Sequence, residues 1–227
     1  SRGRAHPLLE AREEQRAIYV VITSDKGLCG AFNANLLATG LEHLEEKSRT
    51  CRIQLVLVGK KAVQFFRAKP FSVVRMLSEQ PQETAREAIC DLVRFLIEEY
   101  TFCRTDAVYV LYNEFKSILS PHIVLFKLLP VEFPREREDS MIPDWEPGMT
   151  DFLQAVLPEY IEVQLVHFFA ESVAAEHAAR MMAMDSATQN AEDLITDLTL
   201  VLNKIRQASI TKELLEIMTA VEALAKK

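Results

Sequence analysis

Two glycine-containing segments are the first candidates for chemistry in this sequence of 227 residues. Gly27-Leu28-Cys29-Gly30 follows an apolar run and precedes a helical pattern, which is where a phosphate-binding loop lies in an α/β protein. It lacks the third glycine of the dinucleotide fingerprint, and no Lys-Ser or Lys-Thr pair follows it. Gly59-Lys60-Lys61 has only part of the P-loop pattern, without its upstream glycine. We therefore interpret the first segment as a tight turn packed on a sheet, and the second as a strand end followed by a helix start.

The other reactive side chains do not form a recognisable catalytic set. Cys29 could act as a nucleophile, but the nearest histidines in the sequence, His6 and His43, have no evident orienting partner. The four cysteines are scattered without a CxxC pair, and Cys51 and Cys90 lie in apolar patterns typical of reduced core residues. The residues predict no metal site and no cofactor, and they favour a mechanical or interaction protein over an enzyme.

Charge and hydropathy limit the partners of the chain. The formal net charge is −7, which argues against general nucleic-acid binding. No apolar run is long enough to cross a bilayer, so we expect no direct bilayer insertion.

Alternating strand and helix patterns fill the first part of the chain and predict an α/β domain with a largely parallel sheet. The last two strands have no helix between them, so we expect them to pair antiparallel at one edge. Residues 1–16 are polar and predict a frayed linker. A proline-rich loop should follow the domain, with Thr150 capping a short helix that Pro158 interrupts or kinks. Predicted strands cover residues 18–22, 53–58, 71–77, 106–114 and 124–133, and predicted helices 33–47, 60–67 and 84–100.

The last third of the chain is the dominant feature, because residues 159–227 contain neither glycine nor proline. A single helix of that length would be on the order of 100 Å long. Apolar residues spaced alternately three and four apart form one stripe along it, which we call the seam. A helix with such a seam needs a long partner helix, and no other part of the sequence supplies one. The seam comprises Met184, Ala187, Ala191, Leu194, Leu198, Val201, Ile205 and Ala208.

Three hypotheses fit these observations: a mechanical subunit of a larger assembly, a free-standing nucleotide-binding α/β domain with a coiled-coil dimerisation arm, and a structural coiled-coil adaptor. Nucleotide binding by the isolated chain would separate the second hypothesis from the first. The sequence opens at Ser1 without a start methionine or a signal peptide, and we expect a further N-terminal segment to have been left out.

Four segments of the sequence closely resemble the gamma subunits of F-type ATP synthases. They are TSDKGLCG (residues 23–30), AARMMAM (178–184), ATQNA (187–191) and NKIRQASIT (203–211). The resemblance implies a central rotor stalk: an antiparallel coiled coil of N- and C-terminal helices with a Rossmann-like, mostly parallel sheet domain at its base. The N-terminal helix of that family has no counterpart here, which accounts for the uncovered seam. The expected division is a linker (1–16), a Rossmann-like domain (17–134), a connecting loop with a short helix (135–157) and a long shaft helix (158–227).

The resemblance also implies partners. It indicates alpha and beta subunits around the shaft, an epsilon subunit and a membrane c-subunit ring at its base, and peripheral attachment to an energy-transducing membrane, at the cytoplasmic face of a bacterial inner membrane. Glu146, in a Trp-Glu-Pro segment, would contact the c ring or epsilon. The residues implied to contact alpha and beta are Arg180, Lys204, Arg206, Gln207, Thr211 and Glu213.

Overall fold

The computed structural model describes residues 6–78, 82–117, 120–132 and 149–225. The chain divides into two compact units, Ser1–Met182 and Ala183–Lys227. This division differs from the expected one, because the first turns of the long helix pack within the sheet domain and belong to its unit.

A five-stranded sheet forms the centre of the first unit. Its strands are β1 (Arg16–Ile22), β2 (Arg52–Val58), β3 (Ser72–Leu77), β4 (Ala107–Ser117) and β5 (Ser120–Leu129). Their order in the sheet is β3-β2-β1-β4-β5. The pairs β1–β2, β1–β4 and β2–β3 are parallel, and the edge pair β4–β5 is antiparallel, which confirms the predicted arrangement. The continuous apolar runs form the central strands because both faces of the sheet are covered.

Helices cover the two faces of this sheet and create two cores. On one face, Leu36 and Leu44 of the first helix and Phe66 of the second pack against strand residues such as Tyr19 and Leu55. On the other face, the third and fourth helices pack against the opposite side of the same strands. The helices are α1 (Phe32–Lys47), α2 (Lys60–Phe66), α3 (Gln82–Thr101) and α4 (Met149–Ala225).

The long helix α4 begins earlier than predicted and continues through Pro158. Proline inside a helix costs about 3 kcal/mol, so the interruption expected there was physically reasonable. Burial offsets that cost, because Leu157, Ile161, Leu165 and Phe168 are all buried in the core shared with α3. Each such side chain contributes about 1.5–3 kcal/mol on burial.

Residues 6–15 pack on the domain, so the prediction of a frayed linker is wrong for them. A 3₁₀ turn at Pro7–Leu9 inserts Leu8 into the core. Arg12 Nη1 donates to the Tyr100 carbonyl at 2.9 Å, and the Tyr100 hydroxyl donates to the Glu10 carbonyl at 2.6 Å. These two bonds tie the segment to the end of α3.

Two smaller predictions also need correction. Strand β5 begins and ends earlier than expected, because it continues the hairpin that starts in β4. Cys51 is buried as expected, but Cys90 is only partly buried, with its Sγ 3.4 Å from Glu162 Oε1 of α4.

Candidate functional site

The loop at residues 23–30 joins β1 to α1 at the carboxyl edge of the sheet and is held by a dense set of hydrogen bonds. Thr23 Oγ1 donates to the Val58 carbonyl at 2.8 Å and accepts from the Ala62 amide at 2.9 Å. Gly59 has φ +88° and lies so close that a Cβ there would overlap the Thr23 carbonyl. The segment at Gly59 is therefore a strand end and helix start, as predicted, and it fixes the beginning of the loop.

Asn33 fixes the end of the same loop from the first turn of α1. Its Oδ1 accepts from the Ser24 amide at 3.1 Å, and its Nδ2 donates to Ser24 Oγ at 2.7 Å and to Cys29 Sγ at 3.2 Å. Leu28 and Gly30 adopt left-handed backbone conformations, with φ 63° and 56°. The turn exposes Leu28 and buries Cys29 against Phe32 and Ala175, so the structure favours a packing role for Cys29.

Arg180 of α4 contacts this loop within the first unit. Its Nε donates to the Gly27 carbonyl at 3.3 Å, and its guanidinium pairs with Glu176 one turn earlier on α4. The guanidinium is thus engaged inside the chain. Of the residues implied to contact alpha and beta subunits, Arg180 is the one that the structure places beside the loop.

The part of α4 in the second unit is uncovered. Every residue from Met184 to Val221 is exposed, including the seam residues Leu198 at 58% and Ile205 at 64%. Large apolar side chains in water are unfavourable, and burial of each would contribute about 1.5–3 kcal/mol. The seam therefore has the character of a contact surface.

The predicted polar contact residues of the second unit lie in two rows beside the seam. Lys204, Gln207 and Thr211 are three and four residues apart and share one side of the helix. Arg206 and Glu213 are seven apart and share the other side. Lys204 and Arg206 form no ion pair with any residue in the described part of the chain, whereas Thr211 Oγ1 donates to the Gln207 backbone carbonyl at 2.9 Å. The side chains of Lys204, Arg206 and Gln207 are thus available to a partner.

A second apolar stripe was missed in the sequence. Its residues are spaced alternately four and three apart, as in the seam. The stripe begins two residues after the last seam residue, Ala208, and two residues correspond to a rotation of about 200° around the helix axis. The apolar side of α4 therefore changes to nearly the opposite side of the helix just after Ala208. Continuing the seam spacing past Ala208 does not find this stripe, because that spacing leads to Lys212, Leu215 and Thr219; a new count begun at Ile210 is needed. The stripe consists of Ile210, Leu214, Ile217, Val221 and Leu224, all exposed.

Two further expectations concern the base of the shaft and the membrane. Glu146, predicted to contact the c ring or epsilon, lies outside the described residues. Within the described ranges, no helix combines the length and the apolar character that crossing a bilayer requires.

The sequence and the fold both have known relatives. The ATP synthase family model matches residues 1–224. The chain is 39% identical to the ATP synthase gamma chain of Pelotomaculum thermopropionicum over 226 residues, covering 99% of this chain and 79% of the relative. It is 42% identical to that of an Anaeromyxobacter species over 223 residues, covering 97% and 77%.

Solved structures share the fold at lower identity. A structure of the Euglena gracilis mitochondrial ATP synthase (OSCP/F1/c-ring, rotational state 3) contains a chain that matches with a TM-score of 0.69 and 21% identity, covering 96% of this chain and 78% of that one. A central stalk/c-ring structure from Tetrahymena thermophila matches with a TM-score of 0.61 and 23% identity, covering 79% of each chain. The extent and identity of the sequence matches establish that this chain belongs to the ATP synthase gamma chain family.

Proposed function

We propose that this chain is the central rotor-stalk subunit of an F-type ATP synthase. It couples proton flow through the membrane sector to ATP synthesis or hydrolysis at the beta subunits by rotating within the ring of alpha and beta subunits. The observation that carries this proposal is the uncovered part of α4, from Met184 to Val221, with its apolar seam and its two polar rows.

The physical mechanism is differential contact. A single helix with polar rows on two sides and apolar stripes on others presents a different surface at each angle of rotation. A beta subunit that meets one face forms contacts that another beta subunit lacks at that moment, and only such a difference can change nucleotide affinity. A contact that is equal in all beta states would stabilise assembly without transmitting torque.

The chain is non-catalytic in this proposal, and the nucleotide chemistry belongs to the beta subunits. The loop at residues 23–30, where a phosphate loop would lie, instead packs Cys29 against α4 and binds Arg180 through the Gly27 carbonyl. This arrangement disfavours the alternative of a free-standing nucleotide-binding domain. A coiled-coil adaptor would leave the family motifs without an explanation.

The proposed partners are the alpha and beta subunits along the shaft, with the epsilon subunit and the membrane c-subunit ring at its base. The proposed location is peripheral, on the cytoplasmic face of a bacterial inner membrane. Its support is that the sequence relatives described above are bacterial chains.

Reconstitution with alpha and beta subunits tests the proposal. The chain, extended by the N-terminal segment of a relative, should co-purify with alpha and beta and raise their steady-state ATP hydrolysis. The double variant Leu198→Asp/Ile205→Asp should reduce incorporation by more than about tenfold, because it places two charges in a seam that must be buried. Ser186→Asp, on an exposed position outside the seam, is the matched control and should assemble normally.

Two results would contradict the proposal. One is nucleotide binding by the isolated chain without any association with alpha and beta. The other is equal incorporation of the seam variant and the control variant.

A further inference from the structure

One side of the first unit is basic, in a chain whose formal net charge is −7. Residues 47–78 contain eight lysine or arginine residues and neither aspartate nor glutamate. This stretch spans β2, α2 and β3, and β3 is an edge strand of the sheet. The positive charge of the stretch is therefore collected at one side of the sheet, where it acts on partners as a group.

Four of these basic side chains lie at the amino edge of the sheet, where β2 and β3 begin. Two belong to the turn from α1 into β2, and two belong to the connection between α2 and β3. The turn and the connection adjoin each other, because Ser48, Arg52, Pro70 and Phe71 line one concavity of about 380 Å³. We call the four residues the basic patch: Arg49, Arg52, Arg67 and Lys69.

The three arginines of the basic patch are exposed, and their side chains form no ion pair or hydrogen bond within the described part of the chain. Lys69 Nζ lies over the Phe65 ring, 5.6 Å from its centroid, so its charge is also not neutralised by an acid. The basic side chains elsewhere at this edge differ, because they are paired. These pairs are Arg12 with Glu10, Arg16 with Asp106, and Lys127 with Glu14.

The basic patch has an excess of positive charge over its acidic neighbours. Glu45 lines the same concavity, and Glu46 follows it in the last turn of α1, so two carboxylates stand against four basic groups. An arginine guanidinium offers a planar fork of donors that suits the oxygens of a phosphate group. Exposed arginines around an open concavity therefore fit a surface that carries many phosphate groups.

The direction of α4 indicates which way the basic patch faces. Phe168 of α4 stacks on Tyr112 of β4, and seven residues later Ala175 packs against Cys29 in the loop at the carboxyl edge. Within the first unit, α4 therefore runs from the amino edge of the sheet toward the carboxyl edge. In the proposed function, the end of the domain away from the alpha and beta subunits is the base of the stalk. The amino edge, with the basic patch, then faces the membrane.

We propose that the basic patch binds the anionic headgroups of the membrane surface around the c ring. Lysine and arginine residues near an anionic bilayer are attracted to it within about one Debye length, which is about 8 Å at physiological ionic strength. The attraction is to the charged surface as a whole, so it is compatible with rotation of the chain above that surface. This inference rests on the proposed function, because the rotor-stalk role is what brings the amino edge close to a membrane.

Flotation of the assembled alpha–beta–gamma complex with lipid vesicles tests the proposal. The complex is used because the isolated chain exposes its apolar seam, which has an affinity for lipid of its own. Vesicles of phosphatidylcholine are compared with vesicles of the same size that also contain phosphatidylglycerol. A preparation of alpha and beta subunits without this chain measures the background.

Three variants separate the basic patch from the total charge of the chain. Arg49→Gln/Arg52→Gln/Arg67→Gln removes three charges from the patch, whereas lysine at the same three positions retains them. The matched control removes the same charge near the carboxyl edge, by Lys61→Gln, Arg75→Gln and Lys116→Gln.

We expect the wild-type complex to bind the anionic vesicles at least about tenfold more tightly than the neutral vesicles, and to lose this preference as salt is added. The glutamine variant of the patch should bind the anionic vesicles at least about tenfold more weakly than the wild type. The lysine variant and the carboxyl-edge control should keep most of the wild-type binding.

Failure of the wild-type chain to assemble with alpha and beta would overturn both the rotor proposal and this inference. An assembled wild-type complex that shows no preference for anionic vesicles would overturn this inference alone. Equal binding of the patch glutamine variant and the carboxyl-edge control would also overturn it. So would binding of soluble polyglutamate without binding to the anionic vesicles, which would point to an acidic protein partner instead.

Discussion

Arg180 Nε donates a hydrogen bond to the Gly27 carbonyl at 3.3 Å, joining two residues that lie 153 positions apart in the chain. Glu176 pairs with the same guanidinium and holds it in place from one turn earlier on α4. The bond links the long helix to a loop whose own conformation is fixed by Asn33 and Thr23. A shift of α4 in the first unit would therefore also displace the loop, including the exposed side chain of Leu28.

The first prediction is that Arg180→Ala loosens this loop. Cys29 is buried beneath the loop, and Asn33 donates to its Sγ, so its modification by a thiol reagent requires local opening. A hydrogen bond to a charged group contributes about 1.5–3 kcal/mol, and the partial exposure of Arg180 reduces this contribution. In Arg180→Ala, Cys29 should therefore react with the thiol reagent about three- to tenfold faster than in the wild type. Mass spectrometry of the Cys29 peptide over time measures the rate.

Arg206→Ala, which removes an exposed arginine from the second unit, is the control for this measurement. Its Cys29 rate should equal that of the wild type. An unchanged rate in Arg180→Ala would mean that the contact with Gly27 does not hold the loop.

The second prediction concerns pH and the amino end of the sheet. Burial alone would raise the pKa of Asp106. The side-chain and backbone hydrogen bonds from Arg16, its charge, and a bond from the Gln15 amide outweigh that effect and lower the pKa below its usual value. Because the folded-state pKa is below the unfolded-state value of about 3.9, ionised Asp106 stabilises the fold above about pH 4. This contribution is lost as the pH falls through the folded-state pKa.

Asp106→Asn should therefore lower the melting temperature at pH 7 and show a smaller further decrease between pH 7 and about pH 3 than the wild type. Asp91→Asn is the control, since Asp91 pairs with Arg94 on the exposed surface. Calorimetric melting at the two pH values measures both effects. Parallel decreases in the wild type and in Asp106→Asn would exclude a stabilising role for this carboxylate.

The third prediction concerns the polar rows of the second unit. Arg206 offers a planar fork of donors suited to a carboxylate, and the Gln207 side chain can both donate and accept. Loss of a partly desolvated contact of about 1.5–3 kcal/mol should slow turnover, so Arg206→Ala/Gln207→Leu should lower the steady-state ATPase rate of the alpha–beta–gamma complex. The nucleotide affinity of isolated beta should be unchanged. Asp185→Ala, an exposed change on the same helix, is the control, and wild-type rates in the double variant would mean that these residues are only solvated surface.

The fourth prediction concerns the base of the stalk. Glu146→Lys should weaken the coupling between proton flow and ATP synthesis, because it reverses a charge proposed to face the c ring or epsilon. Hydrolysis by the soluble sector should remain largely intact. Proton-driven synthesis and ATP hydrolysis, measured on the same membrane preparation, separate the two effects. Normal proton-driven synthesis in the variant would reject the proposed contact.

The sheet could be predicted from the sequence because its strands are short apolar runs bounded by Gly59 and by polar segments. The parallel pairing and the antiparallel edge followed from the presence or absence of an intervening helix, whereas the order of the strands, with β4 beside β1, was not predicted. The start of α4 could not be predicted, because proline at position 158 argues locally against a helix. The burial of Leu157, Ile161 and Leu165 against the sheet overrides that preference, and it depends on contacts between distant parts of the chain.

The candidate contact surface was predictable only in part. The seam could be found because heptad spacing is visible in the local sequence. The contact of Arg180 with the Gly27 carbonyl could not be predicted, because the two residues are far apart in the sequence.

Rotation of this chain against immobilised alpha and beta subunits tests the proposed function most directly. A visible probe attached at Cys103, which is exposed on the first unit, would report the movement of the subunit in a complex whose other reactive cysteines have been replaced. We predict continuous rotation in one direction after addition of ATP, which stops when ATP is exhausted. ATP hydrolysis at a normal rate while the probe remains stationary would contradict the rotor function.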